Sequence, residues 1–125
     1  MKKIFVLLVF FGNMVVGLAQ NQMQQNAITS FTANYNNNDF EKIYASFSVK
    51  MKKARTKKQY FDFFSRVKNE RGALRSTELT NYQENNQKSK AQYIGNFDFG
   101  SGIIKISMNA QNEIIGFYIL KENLM

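Results

Sequence analysis

Apolar residues at Met23, Ala27, Ile28, Phe31 and Tyr35 recur at intervals of three and four, the repeat that lays one stripe along a helix. The pattern predicts a first helix from Gln22 to about Tyr35, ended by the Asn-rich run that follows. Asn38-Asp39-Phe40-Glu41 reads as an N-cap with a carboxylate three residues on, which satisfies free amides at a helix start. Phe40, Ile43, Tyr44 and Phe47 share a face and predict a short second helix to about Phe47. Thr56-Lys57-Lys58-Gln59 is another such cap. It opens a third helix, about Lys57 to Glu70, with Tyr60, Phe61, Phe63, Phe64 and Val67 on a broad apolar face and Gly72 as its stop.

After Gly72 the apolar period falls to two. Turn signals at Asn85-Asn86-Gln87, Gly100-Ser101 and Gln111-Asn112 divide the remainder into four segments of an antiparallel meander. Two-residue turns at the last two sites set Phe97 opposite Ile104, Tyr93 opposite Met108, Ile106 opposite Phe117 and Ile104 opposite Ile119, all on one face. A turn at Asn86-Gln87 pairs Leu74 with Phe99 on that face and Arg75 with Asp98 on the other. Opposite charges landing together support this register, since a slip of one residue inverts every side chain. The expected fold class is α+β: about three N-terminal helices packed on a curved, cone-like four-stranded antiparallel sheet.

In this register the inner face of the first strand reads Leu74, Ser76, Glu78, Thr80, Tyr82, with Glu78 beside Gly95. A curled sheet with a polar centre makes a cup, so Ser76, Glu78, Thr80, Tyr93 and Tyr60 are the expected lining of a small-ligand pocket. On the opposite face Leu79, Ile94, Ile103, Ile114, Tyr118 and Leu120 stand among Asn96, Lys105 and Ser107. An apolar surface of that extent predicts a homodimer through the sheet.

The N-terminus carries a different signal. Lys2 and Lys3 precede an apolar run that ends at Gly17-Leu18-Ala19-Gln20, the charged, apolar and small-residue zones of a secretory leader cleaved after Ala19. Ile4 to Ala19 as helix would reach roughly 24 Å against a ~30 Å hydrocarbon core, which favours a leader over an anchor. No cysteine lies at the junction, so lipid attachment there is excluded. The expected organisation is a leader over residues 1–19, one α+β domain over 20–125 with no membrane span, and export to the periplasm or beyond.

Composition narrows the chemistry. Cysteine, histidine, proline and tryptophan are absent from the 125 residues, which removes disulfides, Cys/His zinc sites, and Ser–His or Cys–His catalysis. No cofactor or metal is expected. The leader takes two of the 17 basic residues with it and leaves all 9 acidic ones, so the exported chain carries +6. The excess is local: from Lys50 to Arg75, ten basic residues face only Asp62 and Glu70. Lys50, Lys52, Lys53, Arg55, Lys57 and Lys58 therefore form a candidate surface for an anionic envelope component, lipid or lipopolysaccharide. Nucleic acid is disfavoured, because no nucleic-acid motif is visible and an exported protein rarely meets it. Ser65-Arg66-Val67-Lys68 fits the Ser-x-x-Lys pattern of β-lactamases, but neither Ser-Asp-Asn nor Lys-Thr-Gly follows.

Helices first, then a curved meander, with the stretch Asn36-Asn37-Asn38-Asp39-Phe40-Glu41-Lys42-Ile43-Tyr44-Ala45-Ser46-Phe47-Ser48, then Phe63-Phe64, Gly72 and Glu113-Ile114-Ile115-Gly116-Phe117, resembles the nuclear-transport-factor-2-like superfamily. Within it the chain is most similar to small exported modules of unknown function that, in Bacteroidota, can precede a β-lactamase-type serine hydrolase domain; the Ala19-Gln20 junction also resembles that group's cleavage sites. The resemblance implies an α+β cone and, its motifs being packing motifs, no activity. The leading expectation is a non-catalytic exported binding or accessory module, dimeric through its sheet. The alternatives are the basic envelope-surface binder and a cone-pocket enzyme with Glu78 as base and Tyr93 as hydrogen-bond donor. Asp98 on the far face leaves no facing pair of carboxylates for glycosidase chemistry.

Overall fold

The structure, a computed structural model, describes residues 20–121; the expected leader and its cleavage site, and the last four residues, lie outside them. Among the described residues four helices precede four strands. Helix α1 covers 20–36, α2 Phe40–Ala45, α3 Val49–Ala54 and α4 Lys57–Arg71. Strands β1 (Leu74–Asn85), β2 (Lys88–Phe97), β3 (Gly100–Met108) and β4 (Ile114–Lys121) form an antiparallel sheet in the order β1-β2-β3-β4, an open meander under the helices. The α+β class read from the sequence is the one observed.

Local chemistry explains most helix ends. Thr56 and Gln59 form the expected reciprocal cap, Gln59 N–H donating to Thr56 Oγ1 at 3.1 Å and Thr56 N–H to Gln59 Oε1 at 2.8 Å. Gly72, at φ 82°, stops α4 as expected. The second predicted cap does not form. Asn38 takes a left-handed φ of 59° and closes α1, while Asp39 starts α2 without a side-chain cap bond. Helix α3 has no counterpart in the sequence reading. Its start is Ser48, whose Oγ accepts from Met51 N–H, and it has no buried residue, so its sequence carries no apolar stripe.

Helix α1 is held at its C-terminal end by distant residues. Lys68 Nζ donates to the carbonyls of Tyr35 and Asn36, both at 3.0 Å, and to Asn38 Oδ1 at 2.9 Å. Part of the basic excess in the 50–75 window thus neutralises a helix C-terminus, where free carbonyls favour a cation. Asn36 reaches the sheet: Leu74 N–H donates to its Oδ1 at 2.8 Å and its Nδ2 donates to the Leu74 carbonyl at 2.9 Å. The Tyr35 hydroxyl donates to the Gly72 carbonyl at 2.8 Å.

The core lies between the helices and the inner face of the sheet and is strongly aromatic. Phe31, Phe64 and Phe117 contact one another, with Tyr35 and Phe97 on one side and Phe40, Phe47 and Tyr60 on the other. Phe64, Ile104 and Ile106 are fully enclosed. Each such side chain contributes about 1.5–3 kcal/mol of transfer free energy.

Register departs from expectation in three places. In β2 and β3 the turn falls at Asp98-Phe99, so Tyr93 faces Ile104 and Phe97 faces Gly100. The turn is fixed there by its neighbours, since Asp98 N–H donates to Ala73 O and Phe99 N–H to Arg71 O, and Phe99 is left largely in solvent. This displacement of four is even and leaves the inner face unchanged. In β3 and β4, Ile106 against Phe117 and Ile104 against Ile119 are as expected. A bulge after Ser107 then turns Ile114 inward, where it is buried and bridged by Phe47.

The third departure decides the site. The turn at Asn86-Gln87 forms, with both residues left-handed, but β1 has twelve residues against ten in β2. With Leu74 pinned by Asn36 at one end and the turn at the other, the surplus leaves as two bulges, at Thr80 and Arg75. Between them, facing is inverted: Glu78 pairs with Ile94 and Ser76 with Asn96 on the outer side, while Leu79 pairs with Tyr93 on the inner side.

Candidate functional site

The bulges dismantle the expected polar cup. Ser76, Glu78 and Thr80 are exposed: Ser76 Oγ accepts from Asn96 Nδ2 at 3.0 Å, and Thr80 Oγ1 donates to the Gln92 carbonyl. The room expected above Gly95 is occupied, because a Cβ there would meet Ile104 Cδ1 at 2.9 Å and Leu74 Cδ1 at 3.1 Å. Tyr93 does point inward, but toward α1, its hydroxyl donating to Gln24 O and Oε1 at 3.4 and 3.3 Å. Burial pushes its phenol up to about 12. Gln24 in turn donates to Ser89 Oγ and the Ile106 carbonyl, both at 3.0 Å, so this buried polar group is satisfied within the protein. Tyr60 lies elsewhere, packed on Tyr44 and Phe47, with its hydroxyl donating to Met51 O at 2.6 Å. The five residues expected to line one pocket are not brought together.

A cleft exists at another place. It has a volume of about 330 Å³ and lies between α1, α2 and the β3–β4 turn. Phe31, Ile43, Met108 and Ile114 form its floor, and Asn26, Ser30, Asn34, Lys42 and Asn112 its rim. The rim is held on its sheet side by Asn109, whose Oδ1 accepts from Gln111 N–H and Glu113 N–H, both at 3.0 Å, and whose Nδ2 donates to Glu113 Oε1 at 2.9 Å. That loop replaces the expected two-residue turn and places Asn112 at φ 64°. An apolar floor with a few convergent amides and hydroxyls is what a small-molecule site needs, and the volume falls at the lower end of the usual ~300–1,000 Å³. The sequence signal for it was thin: Asn26, Ser30 and Asn34 recur at intervals of four on the polar side of the α1 stripe, a position also filled on any solvated helix.

The basic surface is partly self-neutralised. Lys57 Nζ pairs with Glu41 and Lys58 Nζ with Asp62, each at 2.8 Å. Lys52 and Lys57 stand over the Tyr44 ring at 5.3 and 5.4 Å from its centroid. Lys50, Lys53 and Arg55 are exposed. Arg75 does meet Asp98, Nε to Oδ1 at 2.6 Å, as expected, though through a bulge and a turn rather than a direct cross-strand pair. Hydrogen bonds from Arg75 and from Ala73 N–H hold the Asp98 carboxyl below its ordinary range.

Of the six residues expected at a sheet interface, Ile94, Ile103, Tyr118 and Leu120 share the outer face. Ile94, Ile103 and Leu120 form one cross-strand row, and Tyr118 pairs with Lys105 in the next. Ile114 is turned inward and buried by the bulge after Ser107, and Leu79 is turned to the inner side by the β1 bulges, where it remains 51% exposed. Among the described residues, no helix is long and apolar enough to cross a membrane and no cluster of three acidic, His or Cys residues has metal-binding geometry.

Comparison with curated proteins gave no match, and neither did comparison with solved structures. A family described as "Protein of unknown function (DUF3887)" matches residues 29–117, from the middle of α1 to Phe117 in β4. The match spans most of the core, the β3–β4 turn and most of the cleft, well over half of the sequence, and the chain therefore belongs to the DUF3887 family.

Proposed function

We propose that this protein is an exported, non-catalytic binding module that holds a small amphipathic molecule in the cleft between α1, α2 and the β3–β4 turn. The observation that carries the reading is the pairing of a floor of Phe31, Ile43, Met108 and Ile114 with a rim of amides and hydroxyls. The apolar floor supplies burial and the rim fixes orientation. Export rests on the leader pattern of the N-terminus. A non-catalytic role is supported by the position of Glu78, the one carboxylate proposed as a base, on the outer face away from Tyr93.

Methyl NMR tests the site. A library of small amphipathic compounds should contain members that shift Met108 and Ile114 while leaving Ile94 and Ile103, on the other face, unmoved. Ser30→Trp, at an exposed rim position, should remove those shifts without unfolding the protein. Shifts that survive the Trp, or a library that moves neither methyl, would overturn the reading.

Self-association through the outer face is a second reading. It is supported by Tyr118 and Leu120, 60% and 43% exposed, beside Ile94 and Ile103.

A further inference from the structure

The outer face also carries a recess below the apolar row. Two adjoining depressions of about 590 and 230 Å³ share Gln83, Lys90, Ser107 and Tyr118, with Lys88 lining the first and Lys105 the second. Register explains the shape. Lys90 faces Ser107 and Ser107 faces Gly116, so the floor has one small side chain and one absent one, while Gln92, Lys105 and Tyr118 make the next row. Among the described residues, no carboxylate lines either depression. The ion pairs among the described residues involve Lys42, Lys57, Lys58 and Arg75, none of the three lysines here. Lys90 and Lys105 sit diagonally on adjacent strands, an arrangement of like charges that is unfavourable until an anion lies between them.

We propose that this groove binds an acidic oligosaccharide. Three ammonium groups along a recess match carboxylates or sulfates repeated along a chain, and the amides of Gln83 and Gln92 match sugar hydroxyls. The Tyr118 ring on the wall offers an amphipathic surface for a pyranose face. A bilayer fits less well, because the lysines surround a depression rather than a flush face. Single-stranded nucleic acid needs a series of stacking rings, and among the described residues Tyr118 is the sole aromatic lining the groove. The site lies on the opposite side of the sheet from the α1 cleft and does not depend on it.

Calorimetry with a galacturonate tetrasaccharide and a heparin-derived hexasaccharide tests the groove, at concentrations where sedimentation gives the monomer mass. At least one should bind, and Lys90→Gln and Lys105→Gln should each weaken it by about tenfold or more, as expected for a lost charge-assisted hydrogen bond. Gly116→Val, which fills the floor where a Cβ would have only ordinary contacts at 3.4 Å from Ser107, should abolish binding. Unchanged thermal midpoints show that these variants fold. Lys52→Gln/Lys53→Gln on α3 should leave affinity within about twofold, because charge remote from the groove acts only through screened long-range attraction. The proposal fails if neither saccharide binds at about 1 mM, or if the α3 variant loses as much as the groove variants. It also fails if a hexanucleotide or phosphatidylglycerol vesicles bind as tightly through the same lysines.

Discussion

At Asn36 a side-chain amide takes the place of a neighbouring strand, pairing with both backbone groups of Leu74. Nothing in the sequence separates this asparagine from Asn34, Asn37 or Asn38, so the residue that sets the β1 register is legible only as part of the Asn-rich run that ends the first helix. Tyr35 was legible as core from the α1 stripe, whereas Tyr93 was expected to line a pocket, and the polar partners of neither were legible. Tyr35 donates to Gly72 O and is pushed up to about 12, by burial first and by Asp98 in addition, against the opposing charge of Arg71. Tyr93 is raised to about 12 by burial alone. Both folded-state values lie above the ordinary 10, so both phenols favour the native state while protonated. That stabilisation is whole below pH 10 and disappears as pH rises from 10 through about 12. We expect denaturant midpoints to fall across this window by an amount equivalent to roughly 1–2 kcal/mol per tyrosine, and Tyr35→Phe/Tyr93→Phe to flatten the fall. An equally steep fall in the double variant would assign the effect to other groups.

Among the elements, several set by contacts within a few residues were readable, although the Asn38-Asp39 cap was expected and does not form and the Ser48 cap of α3 was not expected. The Thr56/Gln59 box, the Gly72 stop and the Asn86-Gln87 turn are all local, and all are observed. The bulges were not readable, because they follow from a mismatch of two in strand length that arises only once Leu74 and the turn are both fixed. Side-chain facing therefore survived in β2 and β3, where the displacement was even, and failed in β1 between its two bulges, each of which shifts the pairing by one. Gly95 now has a packing role instead of a pocket role. Gly95→Ala puts a methyl group against Ile104 and Leu74 in a filled core and should lower stability by about 1–3 kcal/mol in equilibrium unfolding. A neutral or stabilising result would mean that space remains above the strand.

Taken whole, the molecule divides its surfaces by chemistry: an aromatic interior, an amide-rimmed cleft on the helix side, and an outer sheet face that is apolar in one half and basic in the other. The fold class was legible from apolar periodicity, whereas the cleft was not, since it joins α1 to residues about 80 positions later. Sedimentation should show a concentration-dependent dimer that Tyr118→Glu/Leu120→Lys returns to monomer mass; a wild-type monomer at micromolar concentration would remove the self-association reading. The surplus of two residues in β1 bears on a further matter. Strand β1 is one border of the sheet, and its two kinks interrupt the row of free amides and carbonyls that an incoming chain would need. At the other border, Phe47 and the hydrogen bonds of Ser46 and Ser48 with Ile114 cover the start of β4. The irregularity that removed a pocket thus breaks the open edge that an incoming strand would need, and deleting Arg75 and Thr80 to straighten β1 should speed thioflavin-detected aggregation; an unchanged rate would mean that the bulges do not protect this edge.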